Sequence, residues 1–103
     1  MLTEGTLQTI SNIFIGDIGN FFSYKRGYDL VNFFNRYYSV NDKYGQGFPS
    51  RWAYVYDKFV ELLNANKFDS FLNIVLSKEF IMQDRGVSQV EAAEHIENIY
   101  NEF

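Results

Sequence analysis

Apolar residues recur at helical spacing over most of the chain. Leu7, Ile10, Ile13 and Phe14 lie three and four apart and predict a first helix over roughly residues 4–15. The run IGDIGNFF (15–22) is broken by Gly16 and Gly19 and reads as a turn or a short helical piece. YDLVNFFNRYY (28–38) gathers Leu30, Val31, Phe34, Tyr37 and Tyr38 on one face, then meets the turn formers SVNDKYGQG. Pro49 cannot continue a helix and biases Phe48 toward an extended backbone, so an irregular loop is expected at 39–50. Ser50 then stands as N-cap candidate for RWAYVYDKFVELLNA, helical to about Asn66. Its stripe is Trp52, Val55, Tyr56, Phe59, Leu62 and Leu63.

Asn66 is placed to cap a fourth helix, whose stripe is Phe68, Phe71, Leu72, Val75 and Leu76. Asp69 suits the positive end of its dipole. The segment 77–86 ends in a glycine. Ser88 and Glu91 form a capping box for a last helix. That helix is expected to turn Ala92, Ala93, Ile96, Ile99, Tyr100 and Phe103 inward and Glu91, Glu94, Glu97 and Glu102 mostly outward. No segment alternates with period two, although a short strand around 37–48 is the competing reading. The expected fold is all-α, a compact bundle of about five helices. Leu30, Phe34, Trp52, Phe59, Leu63, Phe71 and Leu72 are expected to share its core.

At 103 residues the chain has room for one core, and residues 1–103 read as a single helical domain. A last helix without a stop signal suggests a frayed end or the N-terminal module of a longer protein. An aromatic share of 19% argues for a packed globule and against disorder. The absence of cysteine removes disulfides, thiolate catalysis and cysteine-ligated zinc. MLTEGTLQTI lacks a secretory pattern, and no run approaches the ~20 apolar residues that span a bilayer. The cytoplasm is the expected compartment and a membrane is not an expected partner.

The net charge of −4 is unevenly spread: residues 1–60 balance to +1 and residues 61–103 to −5. An acidic chain makes a poor general nucleic-acid binder, although the front half leaves room for a local patch. Between residues 21 and 59 lie fourteen of the twenty aromatics, interleaved with Lys25, Arg26, Arg36, Lys43, Arg51 and Lys58. Stacking platforms for single strands or nucleotides have that composition. Phe and Trp at helical spacing are more often core, which is the expectation for Phe21, Phe33, Phe34, Trp52 and Phe59. Tyr24, Tyr28, Tyr44 and Tyr54 suit a surface equally well.

Catalytic motifs are sparse. The sole histidine, His95, sits among glutamates. Glu91 and His95 are four apart and read as a solvated pair on one helix face rather than as metal ligands. Gly45-x-Gly47 lacks the lysine and hydroxyl of a phosphate loop. A helix-turn-helix opening at VSQVEAAEHI fails on length unless the chain is truncated, because about ten residues follow Ala93 with no turn among them. No enzymatic activity, cofactor or metal is therefore expected. Arg51, at the first turn of its helix, stands against the dipole. Either an ion pair, with Asp42 or Asp29, holds the loop, or the guanidinium recognises an anion or a protein carboxylate. The candidate binding residues are Lys43, Tyr44, Arg51 and Tyr54 around the loop, and Glu94 and Glu97 on the acidic last helix.

The run LVNFFNRYYSVNDKYGQGFPSRWAYVYDKFVELLN resembles a small helical domain found at the N-termini of bacterial abortive-infection proteins of the AbiJ type. The matching positions are Leu30, Phe33, Phe34, Tyr44, Gly45, Gly47, Phe48, Pro49, Ser50 and Arg51, within a similarity spanning about residues 28–76. The resemblance implies a sensing or adaptor module whose partner is a protein, either a fused effector such as a HEPN-type ribonuclease or a phage component. No effector follows within this sequence, so no ribonuclease activity is carried over. Two other functions stay open: a small acidic protein-binding module or phage-encoded inhibitor, and a single-stranded nucleic-acid or nucleotide binder.

Overall fold

Six helices, and no strand among the described residues, make up the computed structural model, which describes the backbone of residues 3–102 and side chains through Asn101. They are α1 (Glu4–Phe14), α2 (Gly27–Tyr38), α3 (Arg51–Asn64), α4 (Phe68–Val75), α5 (Lys78–Arg85) and α6 (Gln89–Glu102). The all-α expectation holds. The sixth helix is the segment 77–86, which forms a separate two-turn element. Ser77 caps α5 by accepting from the Phe80 amide, and Gly86, at φ 66°, ends it in the left-handed region. The expected inward Phe103 and outward Glu102 side chain lie outside the described residues.

Caps decide the remaining boundaries, and two expected ones are absent. Ser50 occupies the N-cap position of α3 with an extended backbone, yet its hydroxyl makes no cap hydrogen bond. Asn66 does not cap α4. It sits at φ 58°, in the left-handed turn that closes α3, and Lys67 takes the N-cap position. Ser88 does cap α6: its Oγ accepts from the Glu91 amide at 3.2 Å and donates to Glu91 Oε1 at 3.1 Å.

The core is a phenylalanine cluster. Phe14, Phe34, Phe59 and Phe71 are each 1% exposed or less, and Phe14 meets Phe33 and Phe71 edge-to-face at 5.2 Å. Leu30 is fully buried, and Leu63 and Leu72 pack against the cluster from its margin. Trp52 departs from expectation. It is 38% exposed, with its ring edge-on to Tyr56 at 6.2 Å. Helical spacing placed it on the stripe, but at the second residue of α3 it lies beyond the packed middle of that helix. Tyr100, expected inward, is also exposed.

Helices α1, α3 and α4 pack with α2 around this cluster, while α6 packs on α5 alone among the helices. The α5–α6 hairpin meets α4 directly and α2 through Phe80 on Phe33 at 5.8 Å, and it is further tied by the segment 15–26, which is neither a simple turn nor a helix. Gly16, at φ 88°, lets the chain fold back so closely that a Cβ there would lie 2.5 Å from Ser23 O and Tyr24 Cα. The loop is held by main-chain and side-chain bonds, beginning with the Lys25 amide donating to Ile15 O at 2.9 Å.

Candidate functional site

The Lys25 ammonium, buried at the base of the loop, donates to Phe14 O and Ser23 O at 3.1 Å and pairs with Asp84 Oδ1 of α5 at 2.9 Å. Asp84 also accepts from Ser23 N and Ser23 Oγ, each at 2.9 Å. Burial pushes the Lys25 pKa below its ordinary value, although Asp84 pulls it upward. Two further side chains grip the same loop by its carbonyls: Arg85 donates to Asn20 O, and His95 bonds Phe21 O. A carbonyl can only accept, so the His95 Nε2 carries the proton.

Arg51 completes the set, and its partner is not one of the two carboxylates expected. The guanidinium donates to Lys25 O at 2.7 Å and Ile15 O at 2.9 Å, and pairs with Asp17 Oδ1 at 3.1 Å. Its carbon lies 4.1 Å from the centre of the Tyr24 ring. An arginine that opposes the helix dipole is thus explained by loop carbonyls brought up against the start of α3. Sequence distance hid them.

Loop 39–50 divides the other candidates. Tyr44 is exposed, its ring edge-on to Phe48 at 4.8 Å and lying where a side chain at Gly27 would go. Lys43 is exposed and makes no ion pair among the described residues. Tyr54 is not a surface residue: it is 7% exposed, and its hydroxyl donates to Asp42 Oδ2 at 2.7 Å. Lys58 Nζ joins the same oxygen at 2.6 Å. The Lys58 and Tyr54 bonds hold the Asp42 carboxyl below the ordinary carboxylate range, and desolvation with Asp42 beside it pushes the Tyr54 phenol up. Glu94 and Glu97 are exposed on α6, far along the chain from this loop. Only Glu94 lines the shallow depression it shares with Arg85, Glu91, His95 and Asn98. The structure therefore does not bring the six candidates into one site.

What it does assemble is a cleft of about 390 Å³ between the loop, α2 and α5. Tyr24, Arg36, Tyr37, Asn32 and Gln83 line it, Phe33 and Phe80 supply apolar surface, and the Lys25–Asp84 pair and Asp29 border it. Tyr24 is 63% exposed and Tyr37 is 37% exposed. Tyr37 packs on Phe33 at 4.8 Å, with the Arg36 guanidinium 5.5 Å from its ring centre. The side-chain amides of Asn32 and Gln83 carry no hydrogen bond to another described residue, and Arg36 no ion pair. Part of this lining is visible in the pattern of α2, where Asn32 and Arg36 are polar positions four apart. Gln83 carried no signal, since only the fold brings α5 to α2.

The band of aromatics and cations is divided between core and surface. Phe22, Phe33, Phe34, Tyr54 and Phe59 are buried, while Lys25, Arg26, Arg51 and Lys58 are held by carboxylates. Among the described residues no group of three or more His, Cys, Asp or Glu side chains is placed to hold a metal ion. No helix among them is long and apolar enough to cross a membrane. No protein-family model, curated protein or solved structure matches this chain.

Proposed function

We propose that this chain is a non-enzymatic recognition domain, the sensing or adaptor part of a bacterial abortive-infection system, and that the cleft lined by Tyr24, Arg36 and Tyr37 is its receiving site. One observation carries the reading. Lys25, Arg51, Arg85 and His95 all serve the loop, whereas Arg36 lines the concavity without an ion pair, and the Asn32 and Gln83 amides without a side-chain hydrogen bond, among the described residues. Tyrosine and arginine are the side chains enriched where proteins recognise ligands and partners. The resemblance over residues 28–76 supplies the defence context. In this reading the protein partner, a fused effector or a phage component, docks on the acidic outer face of α6 at Glu94 and Glu97. His95 is engaged with the Phe21 carbonyl, which withholds it from acid–base work and favours binding over catalysis.

Phage challenge of cells carrying the gene in its native reading frame tests the proposal. Tyr24→Ser with Tyr37→Ser should abolish protection while leaving the melting temperature of the purified chain unchanged. Full protection by that variant would overturn the assignment of the cleft.

A further inference from the structure

We infer that the ligand of this cleft is a free mononucleotide, its base lying against Tyr24 and Tyr37 and its phosphate on Arg36; the inference rests on the recognition reading of the cleft. Charge comes first. Lys25 and Asp84 neutralise one another, and Asp29 is paired with Arg26 at 3.2 Å, which leaves Arg36 as the lining cation without an ion pair among the described residues. The formal charges of the lining cancel, so an anion is drawn by the guanidinium that no carboxylate holds and not by the net charge of the hollow. Arginine suits phosphate because its planar fork offers paired donors.

Shape and surface add the ring. Tyr24 and Tyr37 are each braced from within the protein, Tyr24 by the Arg51 guanidinium at 4.1 Å and Tyr37 by Phe33 at 4.8 Å. Rings already fixed before binding lose little freedom when a base stacks on them. The Asn32 and Gln83 amides each present a donor and an acceptor, the complement of a base edge. A hollow of about 390 Å³ suits one small molecule. A longer strand would need further cations, yet among the front-half cations only Arg36 and Lys43 lack an ion pair among the described residues.

The test is an amide and side-chain NMR titration of the full chain at low salt. AMP, GMP, CMP and UMP are the probes, each beside its nucleoside, with inorganic phosphate and a short single-stranded oligonucleotide as further arms. At least one mononucleotide should shift the signals of Tyr24, Asn32, Arg36, Tyr37 and Gln83, and its nucleoside should bind roughly tenfold more weakly. Arg36→Ala, at unchanged melting temperature, should bring the nucleotide down to the nucleoside. Four results would overturn the inference: no shifts at millimolar nucleotide, shifts confined to other surfaces, phosphate binding as well as nucleotide, or far tighter oligonucleotide binding that falls steeply with salt. If no nucleotide binds but Tyr24→Ser with Tyr37→Ser ends phage protection, the nucleotide inference alone fails. If nucleotide binds and that variant still protects, the recognition reading fails and the nucleotide site stands.

Discussion

Lys25 Nζ and Asp84 Oδ1 are 2.9 Å apart across a junction of loop and helix, with side-chain exposures of only 9% and 7%. The pair joins residues 59 positions apart in sequence and fixes one wall of the cleft.

Removing one partner strands the other. Asp84→Ala should lower unfolding stability by about 3–5 kcal/mol, the range for an uncompensated buried charge, read by urea denaturation. Lys25→Met combined with Asp84→Asn should recover part of the loss, because no lone charge then remains buried. Equal destabilisation by the single and double variants would show that the pair's charge is immaterial.

Two glycines with the same backbone sign should behave differently. Gly16 and Gly47 lie at φ 88° and φ 85°, but a Cβ at Gly16 meets backbone at 2.5 Å while one at Gly47 meets open space. Gly47→Ala should cost about 1–2 kcal/mol from the left-handed conformation alone. Gly16→Ala should cost more than ~3 kcal/mol or prevent folding, since both strain and collision apply. Thermal melts of the two variants side by side check the ordering.

Trp52 and Phe59 share one helix and differ in burial, at 38% and 0% exposure. Phe59→Ala should cost about 3–5 kcal/mol, as truncation of a fully buried ring does. Trp52→Ala should cost about 1 kcal/mol, within the ordinary range for a partly exposed position. The native tryptophan emission should also be intermediate between buried and solvated, and a fully blue-shifted spectrum would contradict the exposed position.

Asp42 makes a pH prediction. Its carboxyl is held below the ordinary 3.8 by the Lys58 and Tyr54 bonds, so its contribution is fully present above that value. It is lost as pH falls through the lower folded value. Tyr54→Phe removes one of the holding bonds and should cost about 1.5 kcal/mol at neutral pH, the low end for a bond to a charged group because the carboxylate is a third exposed. The variant should also lose less stability than the wild type on acidification below 3.8. Unfolding curves at a series of acid pH values decide it: parallel profiles would remove Tyr54 from the linkage.

Helix positions were legible because their signals are local. Three- and four-residue spacings mark α1 to α4, and Ser88 with Glu91 marks the start of α6. Failure came wherever a residue answers to a distant partner. Arg51 stands out locally by opposing its helix dipole, but Ile15 O and Lys25 O lie far back in the chain and leave no mark near it. Trp52 obeyed helical spacing and still lies on the surface, because spacing gives a face and not the depth of packing along it. Tyr54 went the other way, buried with its hydroxyl satisfied by Asp42. The cleft was the least legible feature. Its lining comes from a loop, α2 and α5, and Gln83 joins it only through the docking of the α5–α6 hairpin.

The loop 15–26 is gripped from outside largely through its main-chain oxygens: Arg51 takes Ile15 O and Lys25 O, Arg85 takes Asn20 O, and His95 bonds Phe21 O. Every residue type carries a carbonyl. Mutational drift at exposed positions such as Ile18 should therefore leave the loop's course intact, whereas a change at Arg51, Arg85 or His95 would reshape a segment in which none of them lies. Beyond Gly16 and Lys25, the heritable instructions for this loop are written in the helices around it, so a deep mutational scan should find tolerance at its exposed positions and intolerance at its remote donors Arg51, Arg85 and His95.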